Sequence, residues 1–141
     1  MSQENNKIAM LIDDDTLANY INSRLIERHL SSKPMLYTNA KSALSQIIVW
    51  KKTDMLLVPK LIFLDIDMPI MNGWEFLDEF QKLPEVVLNR CKIVMLTSSI
   101  DEEDIKRAKS YSSVIDFISK PLQADHLRDL FRMLNKIIYV N

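Results

Sequence analysis

The feature that most constrains this chain is a set of short apolar blocks, each of which stops abruptly at a polar residue. Residues 8–12 run into Asp13, 61–64 into Asp65, 93–96 into Thr97, and 114–118 into Ser119, Lys120 and Pro121. Blocks this short and this apolar suit strands buried on both faces. A weaker strand is expected over 34–38. Longer amphipathic stretches lie between the blocks. Residues 16–30 read as a helix with Leu17, Ile21 and Leu25 on one face, and 41–52 as a second helix carrying Leu44, Ile47, Ile48 and Val49. Residues 53–60 read as a loop that packs down through its apolar side chains, and 74–82 as a third helix ending near Pro84. Asp101 is placed to cap a fourth helix reaching about residue 111. A fifth runs from 123 to about 139, with Leu127, Leu130, Phe131, Leu134 and Ile138 inward.

Strands alternating with helices imply right-handed βαβ crossovers and a parallel sheet covered on both sides. The predicted class is therefore α/β, with five strands and five helices. The unit accounts for residues 7–141 as one domain, behind a polar, disordered tail at 1–6. With a single cysteine, Cys91, no intramolecular disulfide exists, and a lone thiol before an apolar run suits a reducing cytoplasm. Net charge of -1 provides no general attraction for nucleic acid or anionic membrane. No apolar stretch approaches the roughly 20 residues of a membrane span.

In such sheets ligands bind beyond the carboxyl ends of the strands. The unusual residues of this chain collect there: Asp13, Asp14 and Asp15 after the first strand, Asp65 and Asp67 at the third, Thr97, Ser98 and Ser99 at the fourth, Lys120 after the fifth. Converging carboxylates repel; at about 4 Å a pair costs roughly 4 kcal/mol at an effective dielectric of 20. A divalent cation relieves this, and oxygen-only ligands favour Mg²⁺. A hydroxyl and an ammonium on the same lip suit phosphoryl oxygens. Together these parts describe a carboxylate nucleophile for phosphoryl transfer, with Asp65 on the central strand as the best candidate.

The ordered set Asp13-Asp14, Leu64-Asp65-Ile66-Asp67-Met68-Pro69 with Asn72-Gly73, Thr97-Ser98, and Phe117-Ile118-Ser119-Lys120-Pro121 resembles the receiver domain of bacterial response regulators over nearly the whole chain. The resemblance implies a flavodoxin-like, doubly wound sheet of order 2-1-3-4-5. It implies phosphorylation at Asp65 by a histidine kinase or histidine phosphotransfer protein, acting on a phospho-acceptor and not on a turnover enzyme. Asp14, Asp65 and the backbone carbonyl of Asp67 would hold Mg²⁺, with Asp13 acting through water. Thr97 and Phe117 would form the switch pair, with Ser98 beside them. Lys120 would bond the phosphoryl group, ahead of a cis peptide to Pro121. Gly73 would allow a tight turn. Output would be a downstream protein target or onward relay, from a monomer or a phosphorylation-dependent homodimer.

Two other readings compete. Asp65-Ile66-Asp67 also resembles the nucleophile motif of haloacid-dehalogenase-type phosphatases, although those place acidic metal ligands after the lysine and not before the nucleophile. A receiver-shaped binding module that is never phosphorylated is the third. The stretch 83–90 exceeds that of the most compact receivers and reads as a specific contact surface.

Overall fold

Every residue of β1 (Ala9–Ile12) and β3 (Leu61–Asp65) is buried, as continuous apolar strands under helices on both sides require. The computed structural model describes residues 8–138, so the tail expected at 1–6 lies outside the described residues. Beside these two strands lie β2 (Met35–Tyr37), β4 (Lys92–Thr97) and β5 (Val114–Ser119). All neighbours pair in parallel, in the order β2-β1-β3-β4-β5. This is the flavodoxin-like order, and its direction reverses between β1 and β3. The register aligns the carboxyl ends: Ile12 pairs with Leu64, Asp65 with Leu96, and Thr97 with Ser119.

Alternate residues of each strand feed opposite cores, as a pleated strand dictates. Met10, Ile12, Ile62, Leu64, Ile93 and Met95 meet α2 (Ala40–Thr53) and α3 (Gly73–Phe80) through Ile47, Phe76 and Phe80. Leu11, Phe63, Val94 and Leu96 meet α1 (Thr16–Leu30) and α6 (Ala124–Ile138) through Ile26, Leu127, Leu130 and Leu134. Each such side chain, fully withdrawn from water, contributes about 1.5–3 kcal/mol before entropy is counted. Of the inward residues expected on α6, Phe131 is partly buried, and the side chain of Ile138 lies outside the described residues.

The described residues contain six α-helices where the hydropathy pattern predicted five. The addition is α4 (Glu85–Arg90), in the stretch 83–90. Pro84 starts it, since a helix start requires no amide hydrogen there and its carbonyl accepts from Val87 and Leu88. Val87 is fully buried. The Arg90 guanidinium donates to the carbonyls of Val58 (2.7 Å) and Leu56 (2.9 Å), bracing a 3-10 turn at Met55–Leu57. The remaining helix is α5 (Glu102–Lys109), capped by Asp101 as expected.

The largest departure is the orientation of α1. Of Leu17, Ile21 and Leu25, expected on one apolar face, Leu25 is partly buried against the core, but Leu17 and Ile21 are 65% and 56% exposed, and Tyr20 beside them is 56% exposed. The buried face carries Asn19, Asn22 and Ile26 instead. Amphipathic periodicity finds the apolar stripe of a helix, but here the inward face also carries Asn19, tied to the strand ends.

A cluster joins α3 to the approach to β5. The Trp74 ring stacks on Tyr111 at 6.3 Å between centroids, and the Arg107 guanidinium lies 4.5 Å over Trp74. The Tyr111 hydroxyl donates to Asp78 at 2.6 Å. Tyr111→Phe keeps the ring and removes that bond, so the urea unfolding midpoint should fall by the equivalent of about 1 kcal/mol, with an unchanged slope.

Candidate functional site

Because all strands are parallel, one edge of the sheet receives every strand's carboxyl end. Asp13 follows β1, Asp65 ends β3, Thr97 ends β4, and Lys120 follows β5. Asp13 is anchored at every polar atom. Its amide donates to the Tyr37 carbonyl (3.0 Å), and its carbonyl accepts from the Asn19 amide (2.9 Å). Its carboxylate accepts from the Asp15 amide (3.0 Å) and from Lys120 Nζ (2.8 Å). Asp15 caps α1 by accepting from the amides of Leu17 and Ala18. That capping role leaves Asp13 and Asp14 for the cleft.

Lys120 also reaches Asp65 Oδ1 at 3.1 Å, so one ammonium bridges two carboxylates that are 1% and 4% exposed. Its own amide donates to the Thr97 carbonyl at 2.7 Å, and the peptide to Pro121 is cis, as expected. Asp13, Asp14 and Asp65 each offer an oxygen within 4.8 Å of the others. Three carboxylates against one ammonium leave excess negative charge.

Burial is the main force on Asp65 and raises its pKa to about 6; repulsion from Asp13 adds to this, while Lys120 and the Asp67 amide hydrogen bond oppose it. Burial works against the charge on Lys120, but hydrogen bonds to Asp13 and then Asp65 outweigh it and hold its pKa above the usual lysine value. The pair is therefore an ammonium beside a carboxyl that resists ionisation. A divalent cation fits here on the chemistry of the donors: all are hard oxygens, with no imidazole or thiolate among them. Asp14 is exposed on the solvent side, where an arriving ion would meet it.

Other expected residues divide. Asp67 is exposed, its side chain is outside the acidic trio, and its amide serves Asp65. The Thr97 hydroxyl is engaged within its own loop, donating to the Ser99 carbonyl (2.7 Å) and accepting from the Ser99 amide (3.2 Å). Ser98 is exposed in the same loop. Phe117 is half-buried and lines a groove of about 240 Å³ between α5 and β5, with Ile105, Ala108 and Val114. Gly73, expected to allow a tight turn, does so without a positive φ. Its reason is close approach: a Cβ there would sit 2.8 Å from the Asp65 carbonyl oxygen and 2.9 Å from Ile66 Cα. The positive-φ residue of this loop is Ile70, at φ 70° and 80% exposed.

Asn19 was not singled out from sequence. A polar residue at an inward helical position was its only signal, and that signal cannot be read while the apolar stripe at Leu17 and Ile21 is assumed to face inward.

Residues 9–132 match the response regulator receiver domain, and the chain belongs to that family. It is 28% identical to response regulator Rcp1 of Synechocystis, over 97% of this chain and 91% of that protein. It is 30% identical to two-component response regulator 24 of Arabidopsis thaliana, over 94% of this chain and 86% of that one. A two-component response regulator from Cytophaga hutchinsonii superposes with a TM-score of 0.81 at 29% identity, covering 92% of this chain and 98% of its own. The chemotaxis protein CheY4 of Vibrio cholerae shares the fold, with a TM-score of 0.69 at 18% identity. No helix among the described residues is long and apolar enough to cross a membrane.

Two outcomes follow from the geometry. Asp65 takes up its proton more readily when folded, about 6 against an ordinary 3.8. Its contribution to stability is therefore full below pH 3.8 and is lost as pH rises through about 6. In metal-free protein, Asp65→Asn should be more stable than wild type by roughly 2 kcal/mol at pH 7.5, the advantage vanishing towards pH 4. Urea titrations at both pH values measure it. Gly73→Ala pushes a methyl group against backbone that cannot rotate away, and should lower stability by about 2–3 kcal/mol in the same assay.

Proposed function

We propose that Asp65 is the phosphoryl acceptor of a Mg²⁺-dependent signalling switch, phosphorylated by a histidine kinase or histidine phosphotransfer protein. The observation that carries this is the Lys120 ammonium lying across the buried carboxylates of Asp13 and Asp65, with Asp14 at the mouth. A phosphoryl group arriving at Asp65 meets a cation already aimed at its oxygens. The solvent-facing Leu17, Tyr20 and Ile21 belong to α1, the helix that follows Asp13–Asp15 directly, and suit an apolar donor surface.

In the proposed step a carboxylate oxygen of Asp65 bonds to phosphorus as the phosphorus–nitrogen bond of the donor histidine breaks. The imidazole keeps the electron pair and takes a proton. Asp14, Asp65 and the Asp67 carbonyl would hold Mg²⁺, with Asp13, which accepts from the Asp15 amide and Lys120, acting through water. The bound ion supplies charge neutralisation at the transferring oxygens. Lys120 then turns from Asp65 Oδ1 to a phosphoryl oxygen.

The Thr97 hydroxyl, held by Ser99 in the structure described, would leave it for another phosphoryl oxygen, with Ser98 moving in the same loop. That movement frees space for Phe117 to turn inward, reshaping the groove between α5 and β5. A downstream protein target reads that surface, or the phosphoryl group is relayed onward. The switching unit is one receiver domain spanning 7–141, as a monomer or a phosphorylation-dependent homodimer, working in the cytoplasm without nucleic acid or membrane as ligand.

Treatment with acetyl phosphate and Mg²⁺ should add one PO₃ to the wild-type mass and none to Asp65→Asn. Labelling that persists in Asp65→Asn, or no labelling of wild type by any phosphodonor, removes the mechanism. Lys120→Ala should accept label yet leave Trp74 fluorescence where it lies in the unlabelled protein. Steady release of phosphate from a small phosphoester would favour a phosphatase instead.

A further inference from the structure

We infer that Asn19 is the positioning residue of the site, holding the Asp13 peptide so that its carboxylate serves the cation; this rests on the cation-binding reading above. Asn19 lies in the second turn of α1 and is 2% exposed. Asparagine is a poor helix former, and its amide is costly to bury without partners. Its Nδ2 has two hydrogens and two acceptors: the Asp13 carbonyl at 2.9 Å and the Tyr37 carbonyl at 3.2 Å. The Tyr37 carbonyl also accepts from the Asp13 amide at 3.0 Å. One side chain therefore closes a ring of hydrogen bonds across the ends of β1 and β2, on both sides of the Asp13 Cα.

The other half of the amide identifies what is needed. Among the described residues, no protein group hydrogen-bonds to the buried Asn19 Oδ1. The residue is held in place for its donors. Leucine keeps the branched outline of asparagine with no donor, which strands the Asp13 carbonyl in a buried setting. The contacts from Asp15 and Lys120 fix the Asp13 carboxylate only relative to a peptide that is itself held. Released from Asn19, that peptide can rotate and carry both carboxylate oxygens with it. Asn22, 7% exposed on the same face of α1, has no such tie to Asp13 among the hydrogen bonds described and is the natural control.

The test uses the full chain as Asn19→Leu, Asn19→Ser and Asn22→Leu. Mg²⁺ affinity is read by Trp74 fluorescence, and Asp13 amide exchange by NMR without metal. Loss of a hydrogen bond that orients a metal-site carboxylate costs about tenfold in metal affinity or more. Asn19→Leu should show that loss together with faster Asp13 exchange, and Asn22→Leu should show neither, even at matched loss of stability. Asn19→Ser, which is smaller, cannot overpack the site and no longer reaches both carbonyls, should change in the same direction and provides the measurement if the leucine variant does not fold. Wild-type Mg²⁺ affinity and wild-type Asp13 exchange in a folded Asn19 variant would overturn the assignment. If wild type itself binds no Mg²⁺, the cation reading fails, and Asp13 exchange alone judges Asn19: faster exchange in the Asn19 variants supports the hold on Asp13, and unchanged exchange overturns it.

Discussion

One ammonium between two buried carboxylates organises this molecule. Without Lys120, Asp13 and Asp65 would face each other in a region with little water to screen them. A buried ion pair is weak grounds for claiming stability, because desolvating the charges costs about as much as their attraction returns. Its value here is geometric. Lys120 ties the end of β5 to the ends of β1 and β3, and its amide ties it to β4. The lip of the sheet is thereby a single connected object, assembled from residues more than a hundred positions apart.

The resting arrangement is also self-occupied. Lys120 holds Asp65, and the Thr97 hydroxyl holds Ser99. Each group that would contact a phosphoryl oxygen already has a partner of its own. On the proposed mechanism, phosphorylation would exchange these partners at nearly constant bond number, which would keep the difference between two states small enough for one chemical event to tip. The pKa of Asp65 belongs to the same account: burial and Asp13 push it up to about 6, and the Lys120 contact opposes them.

The sheet was legible because strand blocks end where their chemistry begins. Residues 8–12 and 61–64 are apolar without interruption, and such runs have one reading when helical stretches separate them. Asp13, Asp14, Asp65 and Lys120 were legible for the related reason that parallel strands leave their carboxyl ends together. The helices were less so. Leu17 and Ile21 are turned outward, while the inward face of α1 carries Ile26, packed with Leu25 and Leu30 in the core, and Asn19, hydrogen-bonded to two carbonyls. Residues 83–90 hid a helix too short for periodicity to register, set by Pro84 and by the reach of Arg90 to a distant turn. The close approach at Gly73 was not legible, because a residue's distance from a neighbouring backbone cannot be read from its own identity.

Cys91 has a quieter consequence. It is fully buried, and burial pushes its thiol far above the ordinary range, so it does not form thiolate at working pH. It is also the only sulfhydryl in the chain. To a maleimide or a spin-label reagent the folded protein is therefore blank. A cysteine engineered beside the groove between α5 and β5 would carry the sole probe, and distances from it could follow the moving surface without first stripping the native residue from the core.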